Sequence, residues 1–260
     1  MGHVIVHIIK NFRLWERPSQ IAFLMAIILA LPALILSVIG DEAIRGYAVA
    51  SLMASLFVAQ LIFLWASRGM VSDYTRAQRH FLRQEFAQAQ QILLLHLQKH
   101  PKDVQAMTLL GNTYRQQGDL DNSHRILLEA INIQPMNYFP LYGFGRTLLV
   151  AGQYEQALQT FQKARQAGGH DITYFDIGES AYYLGDMTTA REALNMGLTR
   201  ATDDDNRVWM ARALLCMMDQ SPLPPLTDAS RAYWTAQAHL FAHTPYGEAL
   251  HVLLAEQMQS

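Results

Sequence analysis

The sequence predicts an all-α protein: an N-terminal hairpin of two apolar helices, then an α-solenoid of about four to five helix pairs. Three observations carry that prediction. Two uncharged apolar runs, Ile21 to Ile39 and Tyr47 to Ser67, stand near the N-terminus. Beyond them, a pattern of small and large residues recurs about every 34 residues. Charged residues make up only 16% of the 260 residues and apolar ones 51%, and the scarcity of charge is concentrated in the first 67 residues.

The first element is a segment at 1–19. Within it Ile5, Ile8, Ile9, Phe12 and Trp15 share one helical face, with His7, Lys10 and Arg13 elsewhere. This pattern predicts an amphipathic helix lying in a membrane interface. Residues 20–67 follow as the hairpin. A bilayer core of about 30 Å needs roughly 20 helical residues, and spans at about 21–39 and 47–67 supply them. Gln60, Ser37, Ser51 and Ser55 are their main polar interruptions, and Pro32 is tolerable as a kink in a spanning helix. The connector Gly40 to Gly46 is short, so the spans are antiparallel neighbours. The first run is longer than a signal-peptide core and a second follows closely, so an uncleaved anchor is expected. Lys10, Arg13 and Arg17 precede the first span, and Arg68, Arg76, Arg79 and Arg83 follow the second. Positive flanks mark the cytoplasmic side, so both termini and the solenoid are expected there. A compact hairpin without an organelle-targeting segment suggests the bacterial inner membrane.

The solenoid is expected over 70–218. In 104–137, Leu110-Gly111, Tyr114, Gly118, Ser123, Leu127, Ala130 and Pro135 occupy successive places of the frame. In 138–170 the same places hold Phe144-Gly145, Leu148, Gly152, Ala157, Phe161 and Ala164. In 171–204 they hold Ile177-Gly178, Ala181, Gly185, Ala190, Leu194 and Gly197. The unit 70–103 keeps Ala77, His80, Ala89, Leu93 and Pro101 but lacks the turn glycine. Small residues let two antiparallel helices cross closely, and large ones interlock with the next pair, so each repeat buries its neighbour's face. Asn206 to Met218, with Trp209, opens a fifth unit. Three prolines in Pro222-Leu223-Pro224-Pro225 enforce an extended linker over 219–227. Two helices complete the chain over 228–260, as a degenerate pair or a cap on the solenoid end.

Over roughly residues 70 to 204 the chain resembles the tetratricopeptide repeat family. That resemblance implies a concave face built from the first helix of each pair, at places 2, 5, 6, 9, 12 and 13 of the unit. Carried over, those places hold Tyr74, Gln78 and Phe81, then Thr108, Asn112, Arg115 and Gln116. The third unit supplies Phe139, Tyr142 and Arg146, and the fourth Phe175, Glu179, Tyr182 and Tyr183. Aromatic residues with a few Arg and Asn groups suit an extended peptide or a partner helix. Relatives that grip acidic chaperone tails use a Lys, Asn and Arg clamp. Here Asn112 and Arg146 stand near such places, but Thr108 replaces the Lys, so the clamp is incomplete.

Nothing in the sequence points to catalysis. There is no phosphate-cradling loop, no zinc-binding His-Glu-x-x-His and no nucleophile elbow. His239 and His243 lie one turn apart without a third ligand placed by spacing, and read as exposed helix histidines. Asp203-Asp204-Asp205 lacks the spacing of a calcium loop. The single cysteine, Cys216, excludes an intramolecular disulfide. A net charge of −2 offers no basic field for nucleic acid. Two spans without intramembrane charge make a poor transporter. The expectation is a membrane-anchored, non-enzymatic scaffold that binds protein and lipid but not nucleic acid, and needs no metal or cofactor. The alternative is an integral accessory subunit of a larger membrane complex.

Overall fold

A computed structural model describes residues 17–67, 72–200 and 205–259, which form thirteen α-helices and no strand. The chain divides into two units, Met1–Ser72 and Asp73–Ser260.

The first unit holds α1 (Arg17–Ile39) and α2 (Glu42–Ser67), packed against each other. Ala26 and Ala33 of α1 and Ala48 and Ala59 of α2 are its buried residues. Small side chains let two helix backbones approach where surrounding lipid offers no hydrophobic push. The Ser37 hydroxyl donates to the Leu34 carbonyl and that of Ser55 to the Ser51 carbonyl, so neither needs an external partner. α1 continues through Pro32. The connector is shorter than its sequence suggested: α2 starts at Glu42, leaving only Gly40 and Asp41 between the helices. The cause is a cap. The Asp41 carboxylate accepts the Ile44 N–H at 3.0 Å, and Glu42 sits in the first turn, where the helix dipole favours negative charge. The expected amphipathic segment, with Lys10 and Arg13, and the flanking Arg68 lie outside the described residues.

The second unit is a solenoid of helix pairs. The pairs are α3 (Asp73–Leu82) with α4 (Phe86–Lys99) and α5 (Val104–Gln116) with α6 (Leu120–Ile133). They continue as α7 (Tyr138–Val150) with α8 (Tyr154–Gln166) and α9 (Thr173–Leu184) with α10 (Met187–Arg200). The last three of these pairs each cross at a glycine facing one large residue, Gly111 on Leu127, Gly145 on Phe161 and Gly178 on Leu194. A methyl group on Gly145 would stand 2.6 Å from the Phe161 ring, so the bare backbone is required there. Asp103, Asp119, Asn137 and Asp186 cap the following helices by accepting backbone N–H groups.

The turns between paired helices run in left-handed conformation at Gln84, Gly118, Gly152 and Gly185, and again at Gln220, at spacings of 33 to 35 residues. Glycine adopts that conformation freely. In the first repeat Gln84 fills the glycine's place. Gln220 fills it after α11 (Asp205–Met218), which is thus the first helix of a fifth unit.

Residues 221–227 carry no helix, and the Trp209 indole N–H pins the linker by donating to the Pro224 carbonyl at 3.2 Å. The chain then forms α12 (Asp228–Leu240) and α13 (Pro245–Gln259). These helices do more than cover the solenoid's end. α13 packs on α7, and Trp234, Phe241, Tyr246 and Leu250 join one buried cluster with Leu148, Phe161, Leu194 and Leu214.

Candidate functional site

The residues assigned to the concave face divide according to where α12 and α13 lie. Leu240, ending α12, meets the α5–α6 turn at Gly118, and Pro245, opening α13, meets the α7–α8 turn at Gly152. Between these points the chain covers its own groove.

In the covered half, Arg146, Phe175 and Glu179 are buried. Phe175 belongs to the core: its ring fills the space beside Gly197, so it presents no groove surface. Arg146 and Glu179 belong to an internal ionic cluster. Arg146 Nη1 donates to Asp176 Oδ1 at 2.8 Å, and Arg207 Nη1 donates to the same oxygen. Glu179 Oε2 lies 3.8 Å from Arg146 and 4.0 Å from Arg207, while its Oε1 accepts the Tyr246 hydroxyl at 2.8 Å. Burial drives the Asp176 carboxyl upward, but Arg207 and Arg146 outweigh it and hold the group below its ordinary value. Burial raises Glu179, and the same guanidiniums offset it only in part. Arg207 Nη2 also donates to the Tyr142 hydroxyl at 3.2 Å, and Tyr142 stacks on Tyr138. Tyr183 stacks on Tyr154 and meets Tyr246 edge-on, and the Tyr182 hydroxyl points to the Met217 sulfur. Arg146, Phe175 and Glu179 therefore do not offer a partner surface, because the chain's own helices supply the groups that would have to bind there.

The other half stays open. Gln78 is exposed, and Tyr74, Phe81, Asn112, Arg115 and Gln116 are partly exposed. Phe81 meets Phe86 edge-on. Arg115 Nη1 donates to Asn112 Oδ1 at 2.8 Å and to the Gly143 carbonyl at 3.2 Å. Phe139 is 62% exposed, but it belongs to a surface cleft beside Met136 and His170, at the loops joining successive pairs. The acidic-tail clamp is not assembled: Thr108 is buried with its hydroxyl on the Val104 carbonyl, and Arg146 is taken by Asp176.

Sequence reasoning missed Asp176, Arg207 and Tyr246. Asp176 holds the sixth place of its unit, so the frame itself points to it. Counted back from the turn at Gln220, Arg207 holds the second place of the fifth unit, a frame hidden by the loss of glycine. Nothing local marks Tyr246. Among the described residues no group of His, Cys, Asp and Glu could hold a metal ion, and His239 instead meets the His251 ring. Cys216 is a free, partly buried thiol.

Profiles of the tetratricopeptide repeat match residues 104–137 and 142–206. Among curated proteins, the chain is 27% identical over 106 residues to the "BBSome complex member BBS4 homolog" of Drosophila melanogaster, covering 40% of this chain and 22% of that one. It is 26% identical over 146 residues to human "Cilia- and flagella-associated protein 70", covering 54% and 13%. It thus spans less than a quarter of either relative. Among solved structures, it superposes on a chain of the "APC/C hetero-tetramer Cut9-Hcn1" with TM-score 0.54 and 16% identity, over 88% of this chain and 45% of that one. It matches "MamA 41-end from Desulfovibrio magneticus RS-1" with TM-score 0.50 and 16% identity, over 66% and 95%. At such identities these likenesses show the fold alone. The chain carries tetratricopeptide repeats, a protein-interaction scaffold, in an all-helical solenoid.

Proposed function

We propose that the protein is a membrane-anchored scaffold whose solenoid holds a protein partner through the open half of its groove. The observation that carries the anchor is the surface of α1 and α2. Ile21, Leu24, Ile28, Leu29, Leu34 and Ile35 of the first helix, and Met53, Leu56, Phe57 and Leu61 of the second, are exposed around the hairpin. An exposed apolar surface of that extent requires lipid or protein to cover it. The two helices are long and apolar enough to cross a bilayer. Anchoring confines the solenoid to the membrane plane and raises its effective concentration for partners there. The charge flanks favour a cytoplasmic solenoid. The name of one curated relative, "Cilia- and flagella-associated protein 70" of Homo sapiens, lends no support to a bacterial membrane.

A second reading, a permanent subunit of a larger membrane complex, is favoured by one stripe on α2. Gly46, Ala50 and Ala54 follow at four-residue spacing and are exposed, and the space around Gly46 is empty to 4 Å. Such stripes allow close helix approach. Gentle detergent extraction with a tag at Ser260, followed by mass spectrometry, tests both readings. A stoichiometric set of membrane subunits is expected for the subunit, and substoichiometric clients recovered after crosslinking for the scaffold. Release of the protein by alkaline carbonate wash would contradict both.

A further inference from the structure

Each helix pair brings the start of its first helix and the end of its second to one edge of the solenoid, where the loops at 100–103, 134–137 and 167–172 run. His96, in the last turn of α4, marks that edge. Its Nε2 lies 2.9 Å from Asp103, which caps α5, and its Nδ1 lies 3.8 Å from Asp73, which opens α3. Met136 and Phe139 stand on this edge 67% and 62% exposed. Lys99, His100 and Lys102, at the preceding loop, are exposed as well. The carboxylates of these loops are engaged: Asp103 accepts the Gln105 and Ala106 N–H groups, and Asp171 lies 3.5 Å from Arg165. The acidic run Asp203-Asp204-Asp205 comes a further repeat along the chain, so the basic stretch belongs to the first two loops. The opposite edge, at the turns within pairs, has the reverse balance, with Glu85, Asp119, Asp121, Glu155 and Asp186 against Arg79 and Arg83. Leu82 and Leu184 are exposed there, but an anionic surface repels that balance.

Resting on the reading of α1 and α2 as spans, we propose that the edge formed by the first two of these loops lies on the anionic lipid surface of the membrane that the hairpin crosses. Met136 and Phe139 enter the acyl boundary, and Lys99 and Lys102 pair with lipid phosphates. Apolar side chains beside basic ones suit such a surface, because burial of the first and attraction of the second act together. The chain itself delivers this edge. Residues 68–72 alone separate α2 from α3, and a tether of that length reaches about 20 Å at most, so on that reading α3 starts near the bilayer surface. So short a tether makes docking an intramolecular step at high effective concentration, and a modest patch then suffices.

The test uses the full chain with Cys216→Ser and a single new cysteine, Met136→Cys, carrying an apolar nitroxide of similar bulk. The chain sits in nanodiscs of phosphatidylcholine and phosphatidylglycerol. Collisions of the label with oxygen, which concentrates in lipid, are compared with its collisions with a water-soluble nickel chelate. The chelate is expected to collide about tenfold less often at 136 than at Gln153→Cys on the opposite edge, because it does not enter the acyl layer, while oxygen collisions rise. Phe139→Asp, or Lys99→Gln with Lys102→Gln, should restore chelate access, and so should nanodiscs of phosphatidylcholine alone. These side chains are exposed, so the unfolding midpoint should stay unchanged. Equal chelate access at 136 and 153, or protection that survives removal of the anionic lipid, overturns the proposal. Loss of chelate access without a rise in oxygen collisions assigns the edge to protein, such as a second copy, and overturns it too. In those cases the anchor stands if the chain resists an alkaline carbonate wash; release by that wash removes the anchor and the proposal together.

Discussion

The two halves of one groove use equivalent places of the repeat and meet different fates. Gln78 is exposed and Phe81 and Asn112 are partly exposed, while Tyr142 is engaged by Arg207 of the fifth repeat, Glu179 and Tyr183 by Tyr246 of α13, and Arg146 by Asp176 of the fourth repeat. The side chains are not more apolar in the closed half; it contains two arginines and two carboxylates. What differs is the chain that follows. Pro222, Pro224 and Pro225 prevent helix from continuing, and the extended linker lets α12 and α13 turn back onto α7 and α9. A repeat frame therefore specifies which face is concave but not whether that face is free.

The comparison predicts unequal responses to truncation. Tyr246→Ala should cost about 3–5 kcal/mol, because it empties a fully buried site and strips Glu179 of its donor. Phe81→Ala, in the open half, should cost clearly less. Denaturant midpoints read the difference, and similar losses at both sites would remove the distinction between the halves. Gly145→Ala comes next, at about 1–3 kcal/mol, because the new methyl group meets the buried Phe161 ring.

A smaller effect depends on pH. Glu179 has a raised value in the folded chain, so it holds its proton where the unfolded chain has lost it. Its contribution is complete below the ordinary value of 4.5 and is lost as pH rises through the raised one. Glu179→Gln mimics the protonated form. The variant's stability relative to the parent should therefore increase as pH rises above about 4.5, then level off. Asp176, held low by its arginines, contributes in the opposite sense in both proteins and cancels in the difference. A flat difference across that range would contradict the burial of Glu179.

The smallest expected effect is a gain. Gln84 takes a left-handed conformation at φ 61°, where later units place glycine. Gln84→Gly should stabilise by about 0.5–1 kcal/mol, visible as a rise in thermal midpoint.

That position also shows how far the sequence could be read. Gly118, Gly152 and Gly185 mark their turns openly, and Leu127, Phe161 and Leu194 mark the helix crossings, because both are local requirements repeated along the chain. Gln84 and Gln220 hide their turns, since neighbouring pairs pack well enough to hold a residue in a conformation costing only about 1–2 kcal/mol. The closed half of the site was less legible. Tyr246 and Glu179 are 67 residues apart, and Arg207 and Tyr142 are 65. No periodicity specifies contacts made after a linker; they depend on where the returning helices find complementary shape. The connector is shorter than the sequence pattern implies for a local reason, since Asp41 and Glu42 read as loop charges although they cap and open α2.

The return of α12 and α13 into the groove is tested most directly by a crosslink. The space where a Gly152 side chain would stand is 3.0 Å from Pro245 Cβ. With Cys216 replaced by Ser, Gly152→Cys and Pro245→Cys should be joined by an intramolecular disulfide under mild oxidation. The product is a faster-migrating monomer on a non-reducing gel, from the full chain in membranes. Absence of that bond, or its formation only between two chains, would show that the C-terminal pair does not lie where the closed half of the groove requires it.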